Sequence, residues 1–231
     1  MTRPRPGRLW LALLALAAGL AVAPAARAES APPGLITVGN FSAGDLSGWE
    51  PKEFEGRTRY SLVQDQGRTV LRAEADRSAS GLVKTLRVDP RRQPILRWSW
   101  KVEGVLARGD ARIKAGDDYA ARVYVVFPSA LFWRTRAINY IWANRLPQGQ
   151  AIPNAFTKNA MLVAVESGPA KAGQWLSEER DIRADFQALF GEEAPELGAV
   201  AVMTDADNTQ DRAVAWYGDI FLAPAPSAPS P

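Results

Sequence analysis

Three aspartates near the end of the chain have the residue types and spacing of a loop that holds a hard cation. They stand at positions one, three and seven of the run Asp205-Ala206-Asp207-Asn208-Thr209-Gln210-Asp211. Calcium in proteins prefers carboxylate, carbonyl and hydroxyl oxygens, which this run supplies. Gln210 stands where an EF-hand loop requires Gly, so the run departs from that motif. We predict either a structural calcium site at Asp205, Asp207 and Asp211, or an Asx-rich turn without metal.

A second candidate lies where Asp117-Asp118-Tyr119 leads into a strand that contains Arg122. Adjacent acids at the start of a strand place their side chains on opposite faces, whereas residues four apart share a face. We therefore predict that Asp118 and Arg122 lie together. The pair is either a structural ion pair or a site that binds a sugar hydroxyl or a carboxylate ligand.

A third candidate is an aromatic segment rich in polar residues. Trp133, Tyr140 and Trp142 stand among Arg134, Arg136, Asn139, Asn144 and Arg145. Flat aromatic rings bind the apolar face of a sugar, while Asn and Arg bond its hydroxyls. We expect either a glycan-binding platform that includes Tyr140 and Trp142, or an aromatic cover over one end of the fold.

The composition excludes several kinds of catalysis. The 231 residues include no His and no Cys, so a Ser-His-Asp triad, a Cys-His nucleophile and the usual zinc ligands are ruled out. A glycosidase would need two carboxylates across a cleft. Glu166 is the best isolated candidate for one of them, and a solvent-facing strand residue is the alternative.

Period-two alternation predicts that short strands position these groups. In Ile95–Val102, Leu96, Trp98 and Trp100 point one way while Arg97 and Ser99 point the other. Further strands are predicted at residues 60–63, 70–75, 81–88, 119–127, 161–166, 199–204 and 213–222.

One helix is predicted over residues 174–190. Ile182, Phe186 and Phe190 recur every four residues there, and Gly191 provides a stop. Asp181 or Ser177 could cap its start. Many short strands with one short helix predict an all-β fold, a jelly-roll β-sandwich of two antiparallel sheets.

The first 28 residues have the pattern of a cleavable export signal. Three arginines precede an apolar run of 14 residues, and Ala26-Arg27-Ala28 fits the cleavage rule. The run is shorter than the ~20 residues that a spanning helix needs. We predict a signal peptide at residues 1–28, a single β-sandwich domain at 29–222 and a disordered Pro/Ala/Ser tail at 223–231. The protein is expected to be periplasmic or secreted, with no integral membrane segment after cleavage.

The basic character of the chain belongs to this leader. The first 28 residues carry four cations and no acid, so the other 203 residues carry 24 cations and 25 anions. This balance gives no electrostatic case for binding nucleic acid. It also indicates no particular oligomeric state.

Two sets of motifs resemble known families. The opening Phe41-Ser42-Ala43-Gly44-Asp45-Leu46-Ser47-Gly48-Trp49 and the closing Trp216-Tyr217-Gly218-Asp219-Ile220 resemble galactose-binding-like jelly-roll modules, whose first and last strands are neighbours. Most of the domain resembles a bacterial exported family known as domain of unknown function 3047. The segments that carry this second resemblance are Ser78-Ala79-Ser80-Gly81-Leu82, residues 114–127, Asn139-Tyr140-Ile141-Trp142 and residues 203–209. That family implies no established reaction, ligand or catalytic residue.

These observations favour an exported, non-enzymatic β-sandwich that binds a glycan or another cell-envelope component. A carboxylate-dependent glycan hydrolase or lyase on the same fold is one alternative, so the question of catalysis stays open. A structural envelope protein that acts through protein partners is another. No cofactor is predicted apart from the calcium ion.

Overall fold

The computed structural model describes residues 34–226, which form thirteen strands and one α-helix, α1 (Ile182–Phe190). The strands are β1 (Ile36–Gly39), β2 (Trp49–Glu55), β3 (Arg59–Asp65), β4 (Arg68–Asp76), β5 (Ala79–Val88), β6 (Ile95–Val102), β7 (Arg122–Phe127), β8 (Arg136–Ala143), β9 (Ala151–Asn154), β10 (Thr157–Ser167), β11 (Leu176–Asp181), β12 (Leu197–Asp205) and β13 (Arg212–Ala223). The predicted signal peptide and residues 227–231 of the predicted tail lie outside the described residues.

The strands form two sheets. A six-stranded sheet has the order β11-β6-β13-β4-β3, and β1 pairs with the second half of β13. A seven-stranded sheet has the order β2-β5-β12-β7-β8-β10-β9. Every described pair is antiparallel except β8 with β10, which is parallel. The prediction of an all-β sandwich with one short helix is confirmed, and β1 and β13 are neighbours, as in the jelly-roll modules that the chain ends resemble.

The core between the sheets is built from the alternating side chains of the central strands. On β6, Trp98 and Trp100 are buried while Arg97 lies on the outer face. The ring centroids of Trp98 and Tyr140 are 5.4 Å apart, and those of Trp100 and Trp142 are 5.9 Å apart. Burial of each such ring contributes about 1.5–3 kcal/mol. This aromatic contact between β6 and β8 therefore joins the two sheets.

The predicted helix at residues 174–190 was wrong in its first half. Residues 176–181 form β11, which pairs antiparallel with β6, and α1 begins only after Asp181. Asp181 is the N-cap and accepts hydrogen bonds from the backbone N–H groups of Arg183 and Ala184. Gly191 ends the helix in the left-handed conformation, as expected. With nine residues α1 is short, and none of the described helices is both long and apolar enough to cross a membrane.

Candidate functional site

An open cleft lies on the outer face of the six-stranded sheet, the face turned away from the core. Its volume is about 410 Å³, within the range of roughly 300–1,000 Å³ that is common for small-ligand sites. Strands β4, β6, β11 and β13 contribute to it, together with the 3-10 turn Phe41–Ala43. The side chains that decide its chemistry are Ser42, Arg68, Arg97, Ser99, Glu179 and Phe221.

Phe221 gives this open cleft an apolar floor. It alternates on β13 with the buried Ile220 and Leu222, and it pairs across the sheet with Arg97 on β6. Gly218 keeps the neighbouring floor low, because a Cβ there would lie 2.2 Å from the Ser99 hydroxyl oxygen. The cleft therefore offers an apolar ring beside a bare backbone and a hydroxyl group.

The polar walls carry both donors and acceptors. Arg97 Nε donates a hydrogen bond to Glu179 Oε2 at 2.6 Å. Asp219 accepts hydrogen bonds from the backbone N–H and the hydroxyl of Ser42, at 2.8 and 2.5 Å. Because Arg97 and Glu179 neutralise each other and Asp219 already accepts two hydrogen bonds, the walls suit a polar, uncharged ligand.

Arg68 is held at the edge of the cleft by stacking. Its guanidinium carbon lies 3.9 Å from the ring centroid of Trp175. Trp175 Nε1 in turn donates to Asp65 at 2.6 Å, and Lys101 Nζ donates to the same carboxylate at 2.6 Å. A stacked guanidinium keeps its N–H donors available in its own plane. Arg68 is thus a planar donor group fixed in orientation before a ligand arrives.

Glu178 lines the cleft from β11 and carries an unusual carboxyl group. Burial raises the pKa of Glu178 to about 7, the hydrogen bond from Trp100 Nε1 at 3.1 Å opposes that rise, and the charge of Glu166 adds to it. Glu166 is buried and ion-paired with Lys171 Nζ at 2.8 Å. Glu178 and Glu166 are therefore two interacting carboxyl groups in different environments, and of the two only Glu178 lines the cleft.

Glu178 is expected to make stability depend on pH. Its folded-state pKa lies above the ordinary value of 4.5, so its contribution is complete below about pH 4.5 and is lost as the pH rises through 7. Glu178→Gln should remove this loss. The fall in unfolding free energy between pH 5 and 8 should then be smaller than in the unaltered protein by about 1–2 kcal/mol, a figure reduced for the partial exposure of Glu178. Urea denaturation at several pH values measures it. Glu179→Gln, at the exposed neighbouring position, is the control. If it reduces the pH dependence of stability as much as Glu178→Gln does, Glu178 is not the cause.

A second polar cluster lies at the ends of β7 and β12 and is buried. Arg122 is fully buried, and its guanidinium bonds both carboxylate oxygens of Asp205, through Nε at 2.8 Å and through Nη2. Nη2 also donates to the carbonyl of Asp117 at 2.6 Å, and Nη1 donates to the Tyr124 hydroxyl at 3.2 Å. Burial raises the pKa of Asp117 to about 6, against the effect of the Arg122 charge. The predicted pairing of Asp118 with Arg122 was therefore wrong, because the carboxylate that Arg122 bonds is that of Asp205.

The Asp118 side chain instead binds the loop that follows β12. Its carboxylate accepts hydrogen bonds from the backbone N–H groups of Asn208 and Thr209, at 3.2 and 2.5 Å. One carboxylate oxygen from each of Asp118, Asp205 and Asp207 lies within 4.8 Å of the other two. Burial and the charge of Asp118 raise the pKa of Asp207 to about 7.

Among the described residues, these three carboxylates form the one group whose oxygens are close enough together to hold a metal ion. Asp211, the third predicted ligand, lies apart from this group and accepts a hydrogen bond from the backbone N–H of Arg212 at 2.8 Å. Since Arg122 already engages Asp205, a calcium ion would take Asp118 and Asp207 as its principal ligands. The calcium site stays a prediction.

Calcium binding is tested by thermal unfolding. If the site takes calcium, millimolar calcium should raise the melting temperature of the unaltered protein relative to chelator, because a ligand at 100 times its Kd adds about 2.7 kcal/mol. Asp207→Asn should abolish the rise, and Asp211→Asn should retain it. An unchanged melting temperature in the unaltered protein would leave the loop as an Asx-rich turn.

The predicted aromatic platform at Tyr140 and Trp142 was wrong, because both side chains are fully buried. They face the six-stranded sheet from β8, where the Tyr140 hydroxyl donates to Asp185 at 2.8 Å and Trp142 Nε1 donates to the Gly168 carbonyl at 3.1 Å. Alternation correctly put them on one face of the strand, but that face is the core. Trp133 is different, since 57% of its surface is exposed.

Sequence reasoning missed the open cleft. Its side chains come from distant parts of the chain, such as Ser42, Arg97 and Asp219. The available signal was the polar side of the strongest alternation: Arg97 and Ser99 had to lie on a face opposite the buried tryptophans. Recognising that this face of β6 lies beside the outward-facing Phe221 of β13 would have located the cleft.

A comparison with family models gives one match. The family described as "Protein of unknown function (DUF3047)" matches residues 47–221. No curated protein matches the chain.

Comparison with solved structures gives matches of low sequence identity. A family 29 carbohydrate-binding module mutant is 9% identical, with a TM-score of 0.38 over 82% of this chain and 91% of that one. The family 30 carbohydrate-binding module of a Clostridium thermocellum cellulosomal cellulase is 9% identical, with a TM-score of 0.38 over 85% and 94%. A beta-1,2-glucanase from Parabacteroides distasonis is 13% identical, with a TM-score of 0.46, and the match spans 87% of this chain but 27% of that one.

Proposed function

The chain belongs to the DUF3047 family, whose description names no activity, and from the geometry of its open cleft we propose that it is a non-enzymatic glycan-binding protein. The observation that carries the proposal is the cleft on the outer face of the six-stranded sheet, where the Phe221 ring is surrounded by hydroxyl, carboxylate and guanidinium groups. Sugars present an apolar ring face edged by hydroxyls that donate and accept hydrogen bonds. An apolar floor with mixed polar walls complements both features.

The charge arrangement favours a neutral sugar over an ion. Arg97 is paired with Glu179, and Asp219 accepts two hydrogen bonds from Ser42. The two arginines of the walls, Arg68 and Arg97, are matched in charge by Glu179 and Asp219. Paired groups of this kind still have oxygen lone pairs and N–H donors for hydroxyls. The ligand class that fits is therefore an uncharged oligosaccharide lying across β6 and β13.

The test is calorimetric titration of a panel of neutral oligosaccharides into the protein. We expect at least one to bind, and Phe221→Ala to weaken it by about tenfold or more, since loss of a stacked ring removes about 1.4 kcal/mol. Arg68→Gln should weaken the same ligand by removing the stacked donor group.

Arg59→Gln is the matched control for Arg68→Gln. Arg59 lies on β3 at the far edge of the same sheet, with 73% of its side chain exposed, and it should leave affinity unchanged. Equal affinity in the unaltered protein and in Phe221→Ala would remove the cleft from the proposal. Failure of every sugar to bind would overturn the glycan-binding function.

A hydrolase is the second candidate, and Glu178 is the observation that favours it. Glu178 lines the cleft, and burial raises its pKa to about 7, the kind of shift that lets a carboxyl group act as a general acid near neutral pH. If the protein is a hydrolase, it should release reducing ends from a bound oligosaccharide and Glu178→Gln should abolish that release. Binding without turnover would decide for the non-enzymatic function.

The proposed function includes export. The support is the run of arginines, the apolar segment and the Ala26-Arg27-Ala28 motif at the start of the chain. Sequencing the N-terminus of protein recovered outside the cytoplasm should give Glu29 as the first residue. Protein recovered there with residues 1–28 still attached would contradict cleavage.

A further inference from the structure

The connection between β7 and β8 exposes three consecutive large apolar side chains. Leu131, Phe132 and Trp133 are 41%, 48% and 57% exposed. Among the described residues only Leu35 and Ile113 are comparable large apolar residues, and each stands alone in sequence. We call these three residues the apolar tip. Scattered exposed apolar residues are ordinary, whereas a contiguous set marks a contact surface.

The backbone of the apolar tip is well fixed, although its side chains are exposed. Phe132–Arg134 form a 3-10 turn in which the N–H of Thr135 bonds the carbonyl of Phe132 at 3.1 Å. The Trp133 carbonyl accepts a hydrogen bond from Asn159 Nδ2 at 2.6 Å. At the base of the connection the hydroxyl of the buried Thr135 accepts from the N–H of Ser129 at 3.2 Å. The fold thus presents these side chains instead of folding them inward.

The charge around the apolar tip is positive. Arg134 follows the tip directly, and Lys158 precedes the Asn159 that holds it. Neither has a carboxylate partner among the described residues, whereas Glu192 pairs with Arg136 at 3.5 Å. The other two acids of the nearby loop also have partners, Glu193 with Arg183 and Glu196 with Arg87.

We propose that the apolar tip inserts into an anionic phospholipid surface, with Arg134 and Lys158 against the headgroups. Trp and Phe favour the membrane interface, and cations beside them are attracted to anionic lipid. Stable attachment without a spanning helix needs two such signals together. Three side chains are also too few for a stable protein interface, which needs about 800 Å² per partner. The tip connects two strands of the seven-stranded sheet, and none of its residues lines the open cleft on the other sheet.

The absence of Cys from the sequence allows a test that reads insertion at one position. The substitution Phe132→Cys is introduced into the full chain, and the purified protein is labelled at this cysteine with an environment-sensitive fluorophore. Vesicles of equal parts phosphatidylglycerol and phosphatidylcholine should shift its emission to shorter wavelength and increase its intensity. A label at the exposed β5 position in Thr85→Cys should not respond, even if another segment holds the chain on the vesicle.

The charge requirement is measured with the same label. Arg134→Gln and Lys158→Gln should each weaken the response to vesicles about fivefold, since one cation near an anionic surface is worth about that much. The matched control is Arg145→Gln, an exposed arginine on a different connection, which should have no effect. Vesicles of phosphatidylcholine alone should bind more weakly than the mixed vesicles.

A silent label at position 132, or a response equal to that at position 85, would overturn the proposal and leave a protein partner as the occupant of the tip. Equal responses to neutral and anionic vesicles would overturn the role of Arg134 and Lys158. Glycan titration of the same labelled proteins reports separately on the open cleft.

Discussion

Arg122→Met is expected to lower the free energy of unfolding at pH 7 by about 3–5 kcal/mol. The substitution removes the one guanidinium that bonds Asp205, and both residues are fully buried. A carboxylate left in the interior without its partner keeps its full desolvation cost. Urea denaturation with a measured slope gives the loss directly.

The double variant Arg122→Met with Asp205→Asn separates two explanations of that loss. If the cost is an orphaned carboxylate, the double variant should be more stable than Arg122→Met alone, because the buried charge has gone. Arg59→Met provides the control, since Arg59 is exposed and 3.5 Å from Glu74, and such surface pairs are worth about 0–1 kcal/mol. A loss below 1 kcal/mol in Arg122→Met would contradict the central place of this ion pair.

Trp142→Ala is expected to cost about 3–5 kcal/mol of stability, the usual range for deleting a buried aromatic ring. The ring is fully buried, lies 5.9 Å from Trp100 between centroids, and spans the contact between the sheets. Trp133→Ala is the matched control, because it removes the same side chain from a position that is 57% exposed. The control should change stability by no more than about 0.5 kcal/mol.

Glycan affinity gives an independent check on this assignment. Where the Trp142→Ala protein remains folded, at low temperature, its affinity should equal that of the unaltered protein, since Trp142 is remote from solvent. Selective loss of affinity with unchanged stability would return Trp142 to the binding surface and contradict the packing described above.

The sequence predicted strands well where alternation was strong. Ile95–Val102 was predicted with the observed bounds, because four apolar side chains alternate with polar ones. The predicted helix extended back over residues 174–181, because this segment shows little period-two alternation of its own. Residues 176–181 are largely polar, and they become a strand by pairing with the edge of β6, a contact that local periodicity does not encode.

The faces of buried strands were harder to assign. The apolar content of β8 indicated burial, but Asn139 and the neighbouring arginines suggested an exposed platform. Both faces of this strand are buried, since the seven-stranded sheet has the main core on one side and further apolar clusters on the other. On such a strand alternation separates two buried faces, so it carries no information about solvent.

The two polar sites differ in how far sequence could reach them. Asp118, Arg122, Asp205 and Asp207 were singled out as candidates, and the fold brings all four to one end of β7 and β12. Their pairing was not predictable, because Arg122 and Asp205 are 83 residues apart in the chain. The open cleft depends entirely on such distant pairing, for example of Phe221 with Arg97.

The position of β13 restricts when this protein can fold. In the six-stranded sheet it is a central strand, with β6 on one side and β4 and β1 on the other, yet it is the last strand among residues 34–226. A growing polypeptide that ends before Arg212 therefore lacks the strand to which three others bond. Long-range pairing of this kind delays folding until the distant partner exists. The six-stranded sheet is therefore expected to close only after β13 has been synthesised, whereas every strand of the seven-stranded sheet precedes β13 in the chain.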